Sequence, residues 1–232
     1  MRIISYNIND CYPWKIERLL DMDADVLVVP EITCPDDSHL PDAYEMKWNG
    51  IEYFYKFTRW KGLGIIWKKG IGYVPEWYNP NLFYGIPLVV GDLLILGFWP
   101  TKRKNVTDHM LYPQIAQEII SEYTPYFKNR RVLIIGDFNC YVNQVDNSEQ
   151  YGDILRINKI LNEHGLRSIY HEQTNEKLGE ETTPTYFHRF DANQPFFLDY
   201  AYTNAHVQSY RLFPWDRDMS DHVGMEIVLL SE

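Results

Sequence analysis

Cysteine is scarce in this chain, 3 among 232 residues, and no Cys-x-x-Cys spacing occurs. So small and odd a number excludes a disulfide framework and the common thiolate zinc sites. Long apolar runs are missing as well. No stretch approaches the roughly 20 residues of a membrane span, and Met1-Arg2 leads straight into the strand-like Ile3-Ile4-Ser5-Tyr6 without a signal-type apolar segment. The expectation is a soluble, cytoplasmic protein with no membrane insertion. Positive charge is the third shortage, with 22 Lys and Arg against 32 Asp and Glu and a formal net charge of −10. Affinity for phosphate backbones comes largely from Lys and Arg, so indiscriminate adhesion to polyanions is excluded. Local basic patches remain at Arg59-Trp60-Lys61, Lys68-Lys69, Lys102-Arg103-Lys104 and Arg130-Arg131. Gly/Ser linkers, low-complexity runs and internal repeats are absent, which predicts one domain over residues 1–232; no obligate protein partner is inferred.

Apolar side chains are plentiful. Hydrophobic residues make up 45% of the chain, and 18 Tyr and 7 Trp supply a large core with aromatics to spare for a cleft. Strand-like runs recur at 3–6, 26–29, 63–67, 93–99, 132–135, 197–203 and 224–230. Helical periodicity appears at 14–22, 113–123 and 153–164, with Pro13 and Pro113 near two of the starts. Strands this apolar suit inner layers buried on both faces. The pattern predicts an α/β fold, a four-layer αββα sandwich of two packed mixed sheets flanked by helices.

Chemistry concentrates where those runs end. Arg131-Val-Leu-Ile-Ile stops in Gly136-Asp137-Phe138-Asn139, and alternation along extended chain aims Asp137 and Asn139 at one place while Phe138 points back. An Asx turn explains that pair equally well by itself. The same coincidence recurs, however, at Asn7-Ile8-Asn9, at Pro30-Glu31, at Asp199-Tyr200 and at Ser220-Asp221-His222. Glu, Asp and Asn oxygens without a companion Cys or His pair form the ligand set of Mg²⁺, with Mn²⁺ as a substitute, rather than of Zn²⁺.

The order Asn-x-Asn, Glu, Gly-Asp-x-Asn, Asp-Tyr, Ser-Asp-His resembles the endonuclease/exonuclease/phosphatase superfamily, which includes deoxyribonuclease I, exonuclease III, sphingomyelinases and inositol polyphosphate 5-phosphatases. The match spans Asn7 to His222. Ser5-Tyr6-Asn7-Ile8-Asn9, Gly62-Leu63-Gly64-Ile65-Ile66-Trp67-Lys68 and Leu96-Gly97-Phe98-Trp99-Pro100 look most like the exonuclease III branch. The resemblance implies an αββα sandwich that cleaves phosphoester bonds with Mg²⁺. Three departures stand out: Pro30 where that branch has Gln, Asp10 where it has Gly, and Phe98 where relatives carry a catalytic Tyr or His. The first two argue against damage-specific abasic-site cleavage.

Carried onto this chain, the resemblance makes Glu31 the principal metal carboxylate, helped by Asn7, Asn9 and Asp221 directly or through water. Asp137 and Asn139 align the attacking water, and His222, oriented by Asp199, accepts its proton or contacts the phosphoryl oxygens, with the general base left open between Asp137 and His222. Tyr112, in the loop that also carries Lys102 and His109, is the first choice to replace the function lost at Phe98. Trp99, Lys102, Phe197 and Arg59 are expected to contact substrate, and Trp60, Phe196 and Tyr186-Phe187-His188-Arg189 also bear on the cleft. The expected activity is that of a Mg²⁺-dependent nuclease on DNA or RNA. The alternatives are a phosphodiesterase or phosphatase for a small metabolite or lipid headgroup, and a catalytically silent binding module of the same fold.

Overall fold

Alternation along β1 (Arg2–Ser5) sends Ile3 and Ile4 to opposite faces, yet both are fully buried, so this strand lies in an inner layer. The computed structural model describes residues 1–10, 12–33, 40–50, 61–102, 107, 110–142 and 154–230. Its strands continue with β2 (Val26–Thr33), β3 (Tyr44–Gly50), β4 (Lys61–Lys68), β5 (Gly85–Val90), β6 (Leu93–Phe98), β7 (Arg131–Asp137), β8 (Arg167–Ser168), β9 (Tyr186–Phe187), β10 (Pro195–Phe196), β11 (Asp199–Thr203), β12 (Val207–Leu212) and β13 (Met225–Leu229). One sheet has six strands in the order β12-β13-β1-β2-β4-β3, and the second has five in the order β5-β6-β7-β11-β8. β9 and β10 form a separate two-stranded ribbon. Both large sheets are mixed: β1 is parallel to β2 and β6 to β7, while the other pairings are antiparallel.

The helices are α1 (Pro13–Leu20), α2 (Tyr112–Tyr123), α3 (Ile154–Glu163) and α4 (Ile169–Thr174). Ile16 and Leu19 of α1 pack with Ile4, Leu27 and Val29 on the outer face of the six-stranded sheet. Their sheet neighbours Ile3, Val26 and Val28 face the other way, into the main core, where Val28 packs over Gly97 of β6. On the far side, α2 seats Ile119 against Gly85 of β5, and α3 adds Ile157 and Leu161. The result is the expected sandwich of helix, sheet, sheet and helices. Each fully buried Leu or Ile contributes about 1.5–3 kcal/mol, and dozens of apolar side chains fill these two clusters.

β3, β5 and β12 were not marked by apolar runs. β3 and β12 lie at the two ends of the first sheet, where half-buried sequences such as Tyr-Glu-Met-Lys-Trp and Val-Gln-Ser-Tyr-Arg alternate only weakly. β5 contains Pro87, which lacks an N–H for the ladder and is tolerated because β5 is an edge strand.

Candidate active site

Two features of the backbone bring the acids together. The first is a bulge. The β2–β4 register slips between Pro30 and Ile32, leaving Glu31 in the left-handed region at φ 59° and re-aiming its side chain toward the end of β1. The second is the β7–β11 pairing, which sets Asp199 directly opposite Asp137. His222 relieves that like-charge juxtaposition. Its Nδ1 lies 2.8 Å from Asp199 Oδ2, its Nε2 lies 3.9 Å from Asp137 Oδ2, and all three residues are buried.

Asp137 is held on both carboxylate oxygens. Oδ1 accepts the backbone N–H of Asn139 at 2.8 Å, and Oδ2 accepts the side-chain amides of Asn7 at 3.0 Å and Asn139 at 3.2 Å. Asn139, itself left-handed at φ 51°, also donates to the carbonyl of Pro100. The pair singled out in Gly-Asp-Phe-Asn is thus both an Asx turn and part of a polar cluster.

Asn7 stands between the two acids. Its Oδ1 accepts the backbone N–H of Asn9 at 3.0 Å, and because that N–H needs an oxygen acceptor, the amide orientation is determined. The NH₂ group therefore faces the acids and donates to Glu31 Oε1 at 3.1 Å and to Asp137. In this arrangement the Asn7 amide group positions the two carboxylates. Asn9 turns its Oδ1 to Lys61 Nζ at 3.0 Å, and the same ammonium lies 2.6 Å from Glu31 Oε2.

Residues 4–222 match the model of the Endonuclease/Exonuclease/phosphatase family. The chain belongs to that family. No curated protein sequence matches it. Among solved structures it is similar to a 3′ phosphatase, NExo, from Neisseria, bound to a product DNA hairpin, at 14% identity and TM-score 0.71 with all of both chains covered. It is also similar to an AP endonuclease from Archaeoglobus fulgidus, at 14% identity and TM-score 0.67 with 99% of each chain covered. The expected family and fold are therefore present, and the chain is a member of a phosphoesterase family.

In this family member, Glu31, Asp137 and His222 bring one ligand atom each within 4.8 Å of one another. Glu31, Asn139, Asp221 and His222 also border an open cavity of about 500 Å³, shared with Tyr112, Tyr141, Tyr186, His188, Gln194, Phe196 and Leu198. Burial pushes the Asp137 carboxyl up, reinforced by Asp199 and Glu31 and opposed by His222. Burial works against the charged form of His222, but Asp199, Asp137 and Asp221 outweigh it and push the imidazole up to about 10. For Glu31, burial raises the carboxyl, yet Lys61, His222 and the hydrogen bonds from Lys61 and Asn7 keep it below the usual range. Burial also raises Asp221. Four acidic side chains, Glu31, Asp137, Asp199 and Asp221, thus share the site with Lys61 and His222. The excess of acids over bases and their oxygen donors fit one divalent ion.

Tyr112, the first residue of α2, does border the cavity, with the Lys102 ammonium 5.5 Å from its ring centroid. Phe98 does not: it is fully buried with its ring 4.5 Å from that of Phe138. Trp99 and Phe197, expected to touch substrate, belong to the core. Trp99 is packed edge-on against Tyr84, and Phe197 against Tyr170 and Tyr200. The neighbours of Phe197 in sequence, Phe196 and Leu198, line the cavity instead, because a shift of one residue in extended chain changes faces. Arg59, Trp60 and His109 lie outside the described residues. Tyr141 and Gln194 were missed, being polar or aromatic loop residues with no pattern to mark them. Tyr186 lies against the cluster, its ring 4.6 Å from that of His222 and its hydroxyl 3.0 Å from His188 Nδ1.

Proposed function

We propose that the protein is a Mg²⁺-dependent phosphodiesterase acting on nucleic acid, with Mn²⁺ as a substitute. The observation that carries this reading is the meeting of Glu31, Asp137 and His222, one ligand atom each within 4.8 Å of one another, at the wall of an open, aromatic-lined cavity. Glu31 and Asp221 would hold the ion. When bound, it supplies charge neutralisation at the phosphate and at the leaving oxygen.

The protein's own groups do the rest. Asn7 and Asn139 fix the Asp137 carboxylate so that it aligns the attacking water and takes its proton. Asp199 engages Nδ1 of His222, leaving Nε2 to donate to a phosphoryl oxygen. Tyr141, Tyr186 and Phe196 offer rings for base or sugar contact, each base stack being worth about 1–3 kcal/mol. The similar NExo structure, bound to a DNA hairpin, supports nucleic acid as the substrate class. Among the described residues no helix is long and apolar enough to cross a membrane.

The test is hydrolysis of single-stranded DNA, duplex DNA, RNA and bis-p-nitrophenyl phosphate with Mg²⁺, Mn²⁺ or EDTA, alongside Asp137→Asn. Metal-dependent cleavage of a nucleic acid, reduced at least about 100-fold in the variant, is expected. Cleavage of the small ester alone would replace the nuclease reading with a metabolite phosphodiesterase, which the net charge of −10 favours. Cleavage undiminished by EDTA would refute the metal.

A further inference from the structure

Lys61 stands at the first position of β4, paired with Thr33 of β2, and its side chain reaches across the Glu31 bulge. Its ammonium touches one oxygen of Glu31 at 2.6 Å and the side-chain oxygen of Asn9 at 3.0 Å. Both oxygens belong to the donor set that suits a hard divalent cation. Lys61 is therefore seated as a cation among cation ligands. The pair lies at the rim, with side-chain exposures of 35% for Lys61 and 21% for Glu31, so it can open without disturbing the core. The other Glu31 oxygen is engaged by the Asn7 amide. An arriving ion meets Glu31 with both oxygens already in use and a positive charge on one of them.

We propose that Lys61 is a tethered cation that competes with the divalent ion for the Glu31 carboxylate. Before the ion arrives, Lys61 holds Glu31 and Asn9 in place and neutralises part of the acidic cluster. Ion binding requires it to release Glu31 Oε2 or to remain as a repelling neighbour, and either outcome weakens affinity. The protein thereby keeps an ordered site when metal is scarce, and loads it only at higher metal concentration. This inference rests on the metal reading above.

Calorimetric titration of Mg²⁺ and Mn²⁺ into metal-stripped protein tests it, for the wild type, Lys61→Met and Lys61→Arg. Lys61→Met is expected to bind either ion about tenfold more tightly or better, since it removes a positive charge 2.6 Å from the Glu31 carboxylate oxygen. Lys61→Arg, which keeps the charge, should stay near wild type. Thermal unfolding supplies a second readout: Lys61→Met should melt below wild type in EDTA and gain more from saturating Mg²⁺. A lysine with a purely structural role would weaken ion binding when removed, so the sign of the change separates the two roles. Equal or weaker binding by Lys61→Met overturns the inference while leaving the metal reading intact. Absence of binding heat and of any metal-induced thermal shift in the wild type would refute both.

Discussion

Gly136 is the residue on which the position of Asp137 depends, and Gly136→Ala measures how tightly that position is set. At φ 151° a Cβ would lie 1.9 Å from the carbonyl oxygen of Phe98, 2.9 Å from its carbonyl carbon and 3.2 Å from its nitrogen. All three atoms are backbone of the adjacent strand β6, so no side chain can swing aside. Reaching ordinary contact requires a separation increase of about 1.5 Å. Overpacking of this kind costs about 1–3 kcal/mol or more, and an unfavourable positive φ adds about 1–3 kcal/mol. A total near 3–5 kcal/mol is expected, which for a chain of this size lowers Tm by roughly 6–20 °C. A displacement of even about 1 Å at the site can cost on the order of 100-fold in rate, so the kcat/KM of Gly136→Ala should fall at least that far while the protein stays folded at low temperature. Calorimetry and steady-state kinetics on the same preparation report both quantities. A Tm within 2 °C (about the shift of 1 kcal/mol) together with undiminished kcat/KM would refute the assignment of Gly136 as the steric determinant of Asp137.

Phe98→Tyr should not raise activity, because that side chain is buried on Phe138 away from the cavity. It should instead destabilise by about 1–3 kcal/mol through the buried hydroxyl, and a tenfold gain in kcat (about 1.4 kcal/mol) would contradict the packing. Phe196→Ala should raise KM roughly 5- to 150-fold, in line with a lost stacking contact, with little change in Tm. Phe197→Ala should instead cost about 3–5 kcal/mol of stability, and the reverse pattern would show the two faces to be exchanged. Glu226, inside the six-stranded sheet, receives hydrogen bonds from Arg211 and Arg2, which outweigh burial and keep its carboxyl below the usual range. Its contribution is present above the unfolded-state pKa and is lost as pH falls through the folded value. Acid unfolding of Glu226→Gln should therefore show a shallower loss of stability below about pH 4.5 than wild type, and parallel curves would count against the pairing.

Much of the architecture was legible along the chain because it rests on periodicity. The runs at 3–6, 63–67 and 132–135 and the helical spacing at 14–22 and 113–123 correspond to elements in the structure, since burial on a strand or helix face imposes a repeat that composition alone displays. The acids were legible for a related reason. Glu31, Asp137, Asp199 and His222 each stand at the boundary of an apolar run, and their order along the chain carries the family resemblance. Face and orientation were not legible. Whether Phe196 or Phe197 meets the cavity turns on a shift of one residue, and propensity does not register it. The bulge that re-aims Glu31 is a mismatch between two strands about 30 residues apart in sequence, so neither strand encodes it separately. The direction of the Asn7 amide is set only by the N–H of Asn9, and Lys61 reads as a surface charge until pairing between β2 and β4 carries it to Glu31. Residue chemistry thus determined what the site could hold. Long-range strand pairing decided which atoms point inward, because hydrogen-bond direction and charge contact exist only between groups that folding has brought together.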